Sequence, residues 1–145
     1  MKRILRQRWF KLSVAICLGL FVVLLPCAVY FRIGSWRDPF IYYAMSRECH
    51  PVWRDLVGGR VCAGQDVEEV IAATQPSRVN RYGAYVELEY RNSSPGGINL
   101  TGIQILAKDG RLVRARAASC AWERIFFDNM SQGDEGEYLE AYAAR

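Results

Sequence analysis

The chain carries one histidine, His50, set between Cys49 and Pro51, and two further cysteines, Cys62 and Cys120, follow it downstream. A thiolate activated by an imidazole base is the nucleophilic chemistry these residue types allow. It requires a fold that brings Cys62 or Cys120 to His50, because Cys49 and His50 are sequence neighbours at a boundary marked by Pro51 and point apart. A single histidine excludes multi-histidine metal sites and histidine relays, and the ordinary role for His50 is a capping or surface residue. Asp66, Glu68 and Glu69 offer oxygen ligands for a hard cation, but at a helix start they complement the positive end of the dipole. Glu87 and Glu89 lie about 7 Å apart on one strand face, a spacing reminiscent of a glycosidase pair, and the solvent side of an amphipathic strand accounts for them more simply. Arg111, Arg114 and Arg116 suit an anionic partner or lipid headgroup, or balance nearby acids. No catalytic residue, cofactor or metal is assigned on these grounds.

The elements that must position these residues follow in order. Asp38-Pro39 reads as an N-cap and first helical residue, opening a helix over about 39–48. A second helical turn or two runs from Pro51 to Val57 and stops at Gly58-Gly59. Asp66 then caps a helix with Glu69 three residues on, an acidic capping box, and Val67, Val70, Ile71 and Thr74 form its apolar face before Pro76. From Gly83 the period becomes two: Ala84, Val86, Leu88 and Tyr90 alternate with Tyr85, Glu87, Glu89 and Arg91 in a half-buried strand. NSSPGG, Asn92 to Gly97, is a loop; a second strand lies within Ile98 to Lys108, and Asp109-Gly110 is a tight turn into a third, Arg111 to Ser119. In that third strand Val113, Ala115 and Ala117 share one face, and Leu112, Arg114 and Arg116 the other. Cys120 to Asn129 reads as helix from the stripe Trp122, Ile125, Phe126 and Met130, and the acidic end from Asp134 to Arg145 as a frayed terminal helix. The expected fold is α+β: two helices, a three-stranded antiparallel meander and a C-terminal helix.

This domain follows an unbroken apolar run, Leu12 to Phe31, which as a helix reaches about 30 Å, the hydrocarbon thickness of a bilayer. The expected organisation is a basic cytoplasmic leader (1–11), a transmembrane anchor (12–31), a linker (32–37) and an exported domain (38–145). Five of the nineteen basic residues, Lys2, Arg3, Arg6, Arg8 and Lys11, precede the run, leaving fourteen against fifteen acidic residues beyond it. The net charge of +4 therefore belongs to the leader, which directs the N-terminus inward, and the near-neutral domain lacks the footprint of nucleic-acid binding. Alternatives are a cleaved signal, which would release the domain, and a lipobox at Leu24-Leu25-Pro26-Cys27. Cys17 and Cys27 fall in the run. Cys49, Cys62 and Cys120 permit one disulfide in any of three pairings, or none. Asn92, Asn99 and Asn129 are glycosylation sequons if the host uses them. Trp36 is placed for the membrane interface belt, while Phe40, Tyr42, Tyr43 and Trp53 read as core.

The segment from Leu56 to Ala117, with Gly64, Asp66, Glu69-Val70, Pro76, Leu88-Glu89-Tyr90 and Asp109-Gly110, resembles the SmpA/OmlA (BamE) and β-lactamase-inhibitor-like superfamily of small envelope domains. That resemblance implies an ααβββ fold, an envelope location and a protein-binding role through loops and the exposed sheet face. The function expected is therefore a non-catalytic, membrane-anchored module that binds or scaffolds a protein, its partners being the bilayer and another protein. The alternative is a small enzyme or ligand-binding domain using Cys49, His50 and Cys62 at a pocket between sheet and helices.

Overall fold

Leader and apolar run form a single helix, α1 (Lys2–Ile33), which continues through Pro26. The computed structural model describes residues 2–35, 37–91, 102–119 and 122–144. Trp36, the loop 92–97, the sequons at Asn92 and Asn99, and Cys120 lie outside them. Within α1, Lys11–Ile33 is long and apolar enough to cross a membrane. Its side chains are exposed up to Ala28, yet Val29 packs against the domain and Ile33 is buried in its core. The segment read as a linker thus begins inside a helix whose last turn belongs to the domain.

Three short helices follow: α2 (Asp38–Ala44), α3 (Cys49–Val57) and α4 (Val67–Thr74). Three boundaries differ from expectation. Helix α2, read as running to about residue 48, ends at Ala44, where Met45 turns extended. Arg37 holds the N-cap position of α2, and Asp38 lies inside the helix with its side chain buried, because a distant arginine claims the carboxylate. Helix α3 starts before Pro51, since a proline in the first turn gives up an N–H that has no helical partner anyway. Asp66 caps α4 as its position suggests, accepting from the Glu68 and Glu69 amides at 2.9 and 3.4 Å.

The sheet is an antiparallel meander of five strands, not three: β1 (Arg78–Tyr82), β2 (Tyr85–Arg91), β3 (Gly102–Lys108), β4 (Arg111–Ser119) and β5 (Trp122–Asp128), in that spatial order. Strand β1 escapes the periodicity because RVNRY turns Asn80 and Tyr82, both polar, toward the protein interior. Strand β5 replaces the expected helix. Its residues Trp122, Ile125 and Phe126 satisfy helical spacing, but pairing with β4 and a register shift beside Arg116 place them on a sheet edge. Tertiary pairing here overrides a short periodic signal. A second shift leaves Val113 without a partner between Ala107↔Leu112 and Leu106↔Arg114. This bulge moves Leu112 onto the face of Ala115 and Ala117, so the expected grouping of Val113 with those alanines fails. The hairpin at Asp109-Gly110 has both residues at positive φ, 51° and 78°, the geometry of a type I′ turn.

Helices α2, α3 and α4 cover one face of the sheet, where Ile41, Val52, Trp53, Leu56, Val67 and Val70 meet Leu88, Ile103, Ile105, Leu112 and Ala115. Each fully buried aliphatic side chain there contributes about 1.5–3 kcal/mol. The final helix, α5 (Gln132–Ala143), crosses the opposite face through Tyr138, which meets Tyr82, Tyr85 and Leu106. Far from frayed at its start, α5 opens with a complete capping box between Ser131 and Asp134.

Candidate functional site

The face beneath α5 is where the acidic strand residues lie. Strand alternation puts Tyr85, Glu87 and Glu89 on it, and the register brings Asn80 and Tyr82 of β1 and Gln104 of β3 alongside. Glu87 and Glu89 are buried rather than solvent-facing, at 1% and 7% exposure, because α5 and its neighbours close over a strand whose polar side sequence reasoning assigned to water. The Glu87 carboxylate is ringed by neutral donors. Its Oε2 accepts from Asn80 Nδ2 at 3.2 Å and Tyr82 OH at 3.1 Å. Its Oε1 accepts from Tyr138 OH at 3.3 Å and from Gln104 Nε2, and Arg116 in turn donates to the Gln104 oxygen. Four donors fill the acceptor sites a carboxylate offers. Burial, and then the charge of Glu87, push the Tyr138 hydroxyl well above its ordinary pKa, so it remains a donor. Chemically the arrangement fastens α5 to the sheet through a buried anion and holds no carboxylate pair open to a sugar.

Ion pairs at the rim add to this seat. Lys108 bonds to Asp134 and Glu137, while Arg114 reaches Asp128 at 2.9 Å and Glu135 at 3.1 Å. The Lys108 ammonium holds the Asp134 carboxyl down to about 2, helped by Ser131, and lowers Glu137 as well. Thus Arg114 and Arg116, read from the sequence as anion ligands or charge balance, are joined to acids and to Gln104 within the fold. Arg111 donates to the Gly64 carbonyl at 3.4 Å.

A second constellation, which no local pattern in the chain announces, joins α1 to the domain. The α1 carbonyl of Ile33 accepts from the indole of Trp53 at 3.2 Å and from Arg124 at 3.4 Å. The same guanidinium pairs with the buried carboxylate of Asp38, whose oxygens have no other partner among the described residues. It also lies over the rings of Phe126 and Trp53, at 4.8 and 5.6 Å from their centroids. Gly34 makes room, since a Cβ there would stand 2.8 Å from the Arg124 side chain and its φ is +105°. One arginine from β5 therefore ties together the end of α1, the start of α2 and the centre of α3.

The cysteine and histidine candidates part company. The Cys49 thiol points into the core and donates to the Tyr90 carbonyl at 3.2 Å, and burial raises its pKa. The His50 ring stacks on Tyr42 at 4.0 Å between centroids, with Nε2 2.9 Å from the Tyr42 carbonyl. Cys62 is exposed, and its backbone amide turns to Gln65. No hydrogen bond joins His50 to a cysteine, and no metal-holding cluster is found, among the described residues. Cys17, Cys27, Cys49 and Cys62 are unpaired. Comparison with family models, curated proteins and solved structures finds no match to this chain.

Proposed function

We propose that this is a single-pass membrane protein with its N-terminus in the cytoplasm, and that its exported α+β domain is a non-catalytic module that binds or scaffolds another protein. The observation that carries the reading is α1: exposed and apolar from Leu12 to Ala28, then built into the domain core at Val29 and Ile33. A helix that must stay attached for the core to be complete suits a retained anchor better than a signal removed by cleavage. The basic leader supports the inward N-terminus. A binding role is favoured by the chemistry of the polar groups, since Glu87, Cys49 and His50 are each committed to internal partners. The resemblance over Leu56 to Ala117 belongs to the same proposal and supplies its envelope location.

Crosslinking from intact membranes through the domain, followed by affinity capture, tests the binding role. A specific protein partner is expected, and recovery of nothing above a mock sample refutes it. Alkaline carbonate washing tests the anchor separately, because release of the full-length chain into the soluble fraction would refute membrane insertion.

A further inference from the structure

Some aromatic side chains near the end of α1 have internal work. Trp53 bonds to the Ile33 carbonyl, and Tyr42 stacks under His50. Phe40 and Trp122 do not. They stand 65% and 43% exposed, stacked face to face with centroids 6.2 Å apart and planes 21° apart. The Arg37 guanidinium lies 5.7 Å from the Trp122 centroid, and Tyr43, one turn beyond Phe40, is likewise exposed. These residues form a ledge where α2 meets the beginning of β5.

The ledge lies next to the mouth of α1. The helix ends with Phe31 outward and Ile33 inward; the Gly34 amide turns back to Tyr30, and the Asp38 amide bonds to Ser35 at 3.1 Å. Only a tight turn separates α1 from α2, and Arg124, two residues after Trp122, bonds to the last α1 carbonyl. We propose that Phe40, Tyr43 and Trp122, with Arg37, rest in the headgroup layer of the bilayer that α1 crosses. Flat aromatic rings accompanied by a cation match that layer, where one side is apolar and the other carries phosphate. The occupant is fixed by continuity: the anchor that brings the domain to the lipid also brings this ledge to it, and the tie through Arg124 prevents the domain from lifting away. The proposal rests on the membrane-anchor reading and adds that the domain has one fixed face toward the lipid.

The test uses the full chain in vesicles of phosphatidylcholine with a minority of phosphatidylglycerol, carrying nitroxide lipids with the spin label either near the headgroup or deep in the acyl chain. The variant Trp9→Phe/Trp36→Phe leaves Trp53, which is buried in the core, and Trp122 as emitters. A companion variant adds Trp122→Phe and Leu20→Trp, placing a reporter mid-helix. The expected result is deep-label quenching of the Leu20→Trp reporter, together with a loss of Trp122 emission that is greatest with the shallow label. If the mid-helix reporter is quenched while Trp122 responds only to aqueous iodide, the ledge proposal is overturned and the anchor stands. If Trp122 is shielded from both lipid and iodide, another chain covers the ledge and the lipid assignment is likewise overturned. Failure of the mid-helix reporter to respond overturns both.

Discussion

Replacing Glu87 by glutamine isolates what a buried carboxylate does on this sheet. The exchange keeps the shape and removes one acceptor oxygen. Whichever side the new amide NH2 takes, it faces two existing donors: Asn80 Nδ2 with Tyr82 OH, or Gln104 Nε2 with Tyr138 OH. A tyrosine hydroxyl can rotate to accept, but an amide must flip. Gln104 resists flipping, because its oxygen already accepts from Arg116. The new NH2 is therefore driven toward Asn80 and Tyr82, and at least one buried donor loses its acceptor. That loss costs about 1–3 kcal/mol, partly offset by removal of a buried charge, so about 2 kcal/mol is the expected net destabilisation. For a domain of this size it corresponds to a fall of about 8 °C in Tm. Urea unfolding of the full chain in detergent, followed by the emission of buried Trp53, measures it. A double-mutant cycle with Tyr138→Phe then tests the link to α5: the second change should cost about 2 kcal/mol in the parent, where the acceptor is charged, and about 1 kcal/mol beside Glu87→Gln, where the remaining oxygen is neutral. Stability of Glu87→Gln equal to or above the parent, or strict additivity in the cycle, would refute the view that this anion holds α5 down.

Three further outcomes are expected. Arg124→Met should destabilise the domain by about 3–5 kcal/mol by leaving the Asp38 carboxylate buried and unpaired, and adding Asp38→Asn should recover much of the loss, both read from urea midpoints. The seat of α5 should weaken at both ends of the pH scale: Asp134, held near 2 against an ordinary 3.8, contributes fully above about pH 4 and loses its contribution as pH falls toward 2. Lys108, raised chiefly by Asp134, contributes below its ordinary 10.5 and loses that contribution as pH climbs beyond it. Hydrogen-exchange protection of α5, corrected for intrinsic rates, should thus be greatest between those limits. Finally, maleimide should label Cys62 in the folded protein and reach Cys49 only after unfolding, as peptide mass spectrometry will report, because Cys49 is buried with a raised pKa and Cys62 is exposed.

What could be read from the chain depended on whether the deciding contacts were local. Asp66 capping α4, the Asp109-Gly110 turn and the alternating β2 were legible because each rests on residues within a few positions of one another. Helix content up to α4 was likewise recovered, with errors at Asp38, at Pro51 and at the end of α2, which stops at Ala44 and not near residue 48. Strand β5 was misread because its helical-looking stripe is short and its partner, β4, supplies the pairing that decides it. The face of Leu112 was misassigned for a related reason, since one unpaired residue in a hairpin reverses strand alternation and leaves no mark on composition. Glu87 looked like a surface acid because its closest hydroxyl donors come from β1, which polar inward residues disguised, and from α5, fifty-one residues away in the chain.

The same distinction bears on how the domain is held. A polar stretch after an apolar helix reads as a flexible tether, and a tether would let the domain sample many heights above a membrane. Here the stretch contains Ile33 in the core, Gly34 in a turn only glycine adopts easily, and Asp38 paired to an arginine eighty-six residues later. Reorienting the domain relative to α1 would require removing Ile33 from its core, parting a buried ion pair and stripping the last α1 carbonyl of both donors. Each step is costly, and because all three converge on Arg124 and Trp53 they must occur together. In the membrane-anchored reading, the consequence is that a partner meets this domain at one height and in one orientation. Selectivity would then derive from where the binding surface is held as well as from what it contacts, and lengthening the turn after Gly34 should weaken partner capture even where the domain still folds.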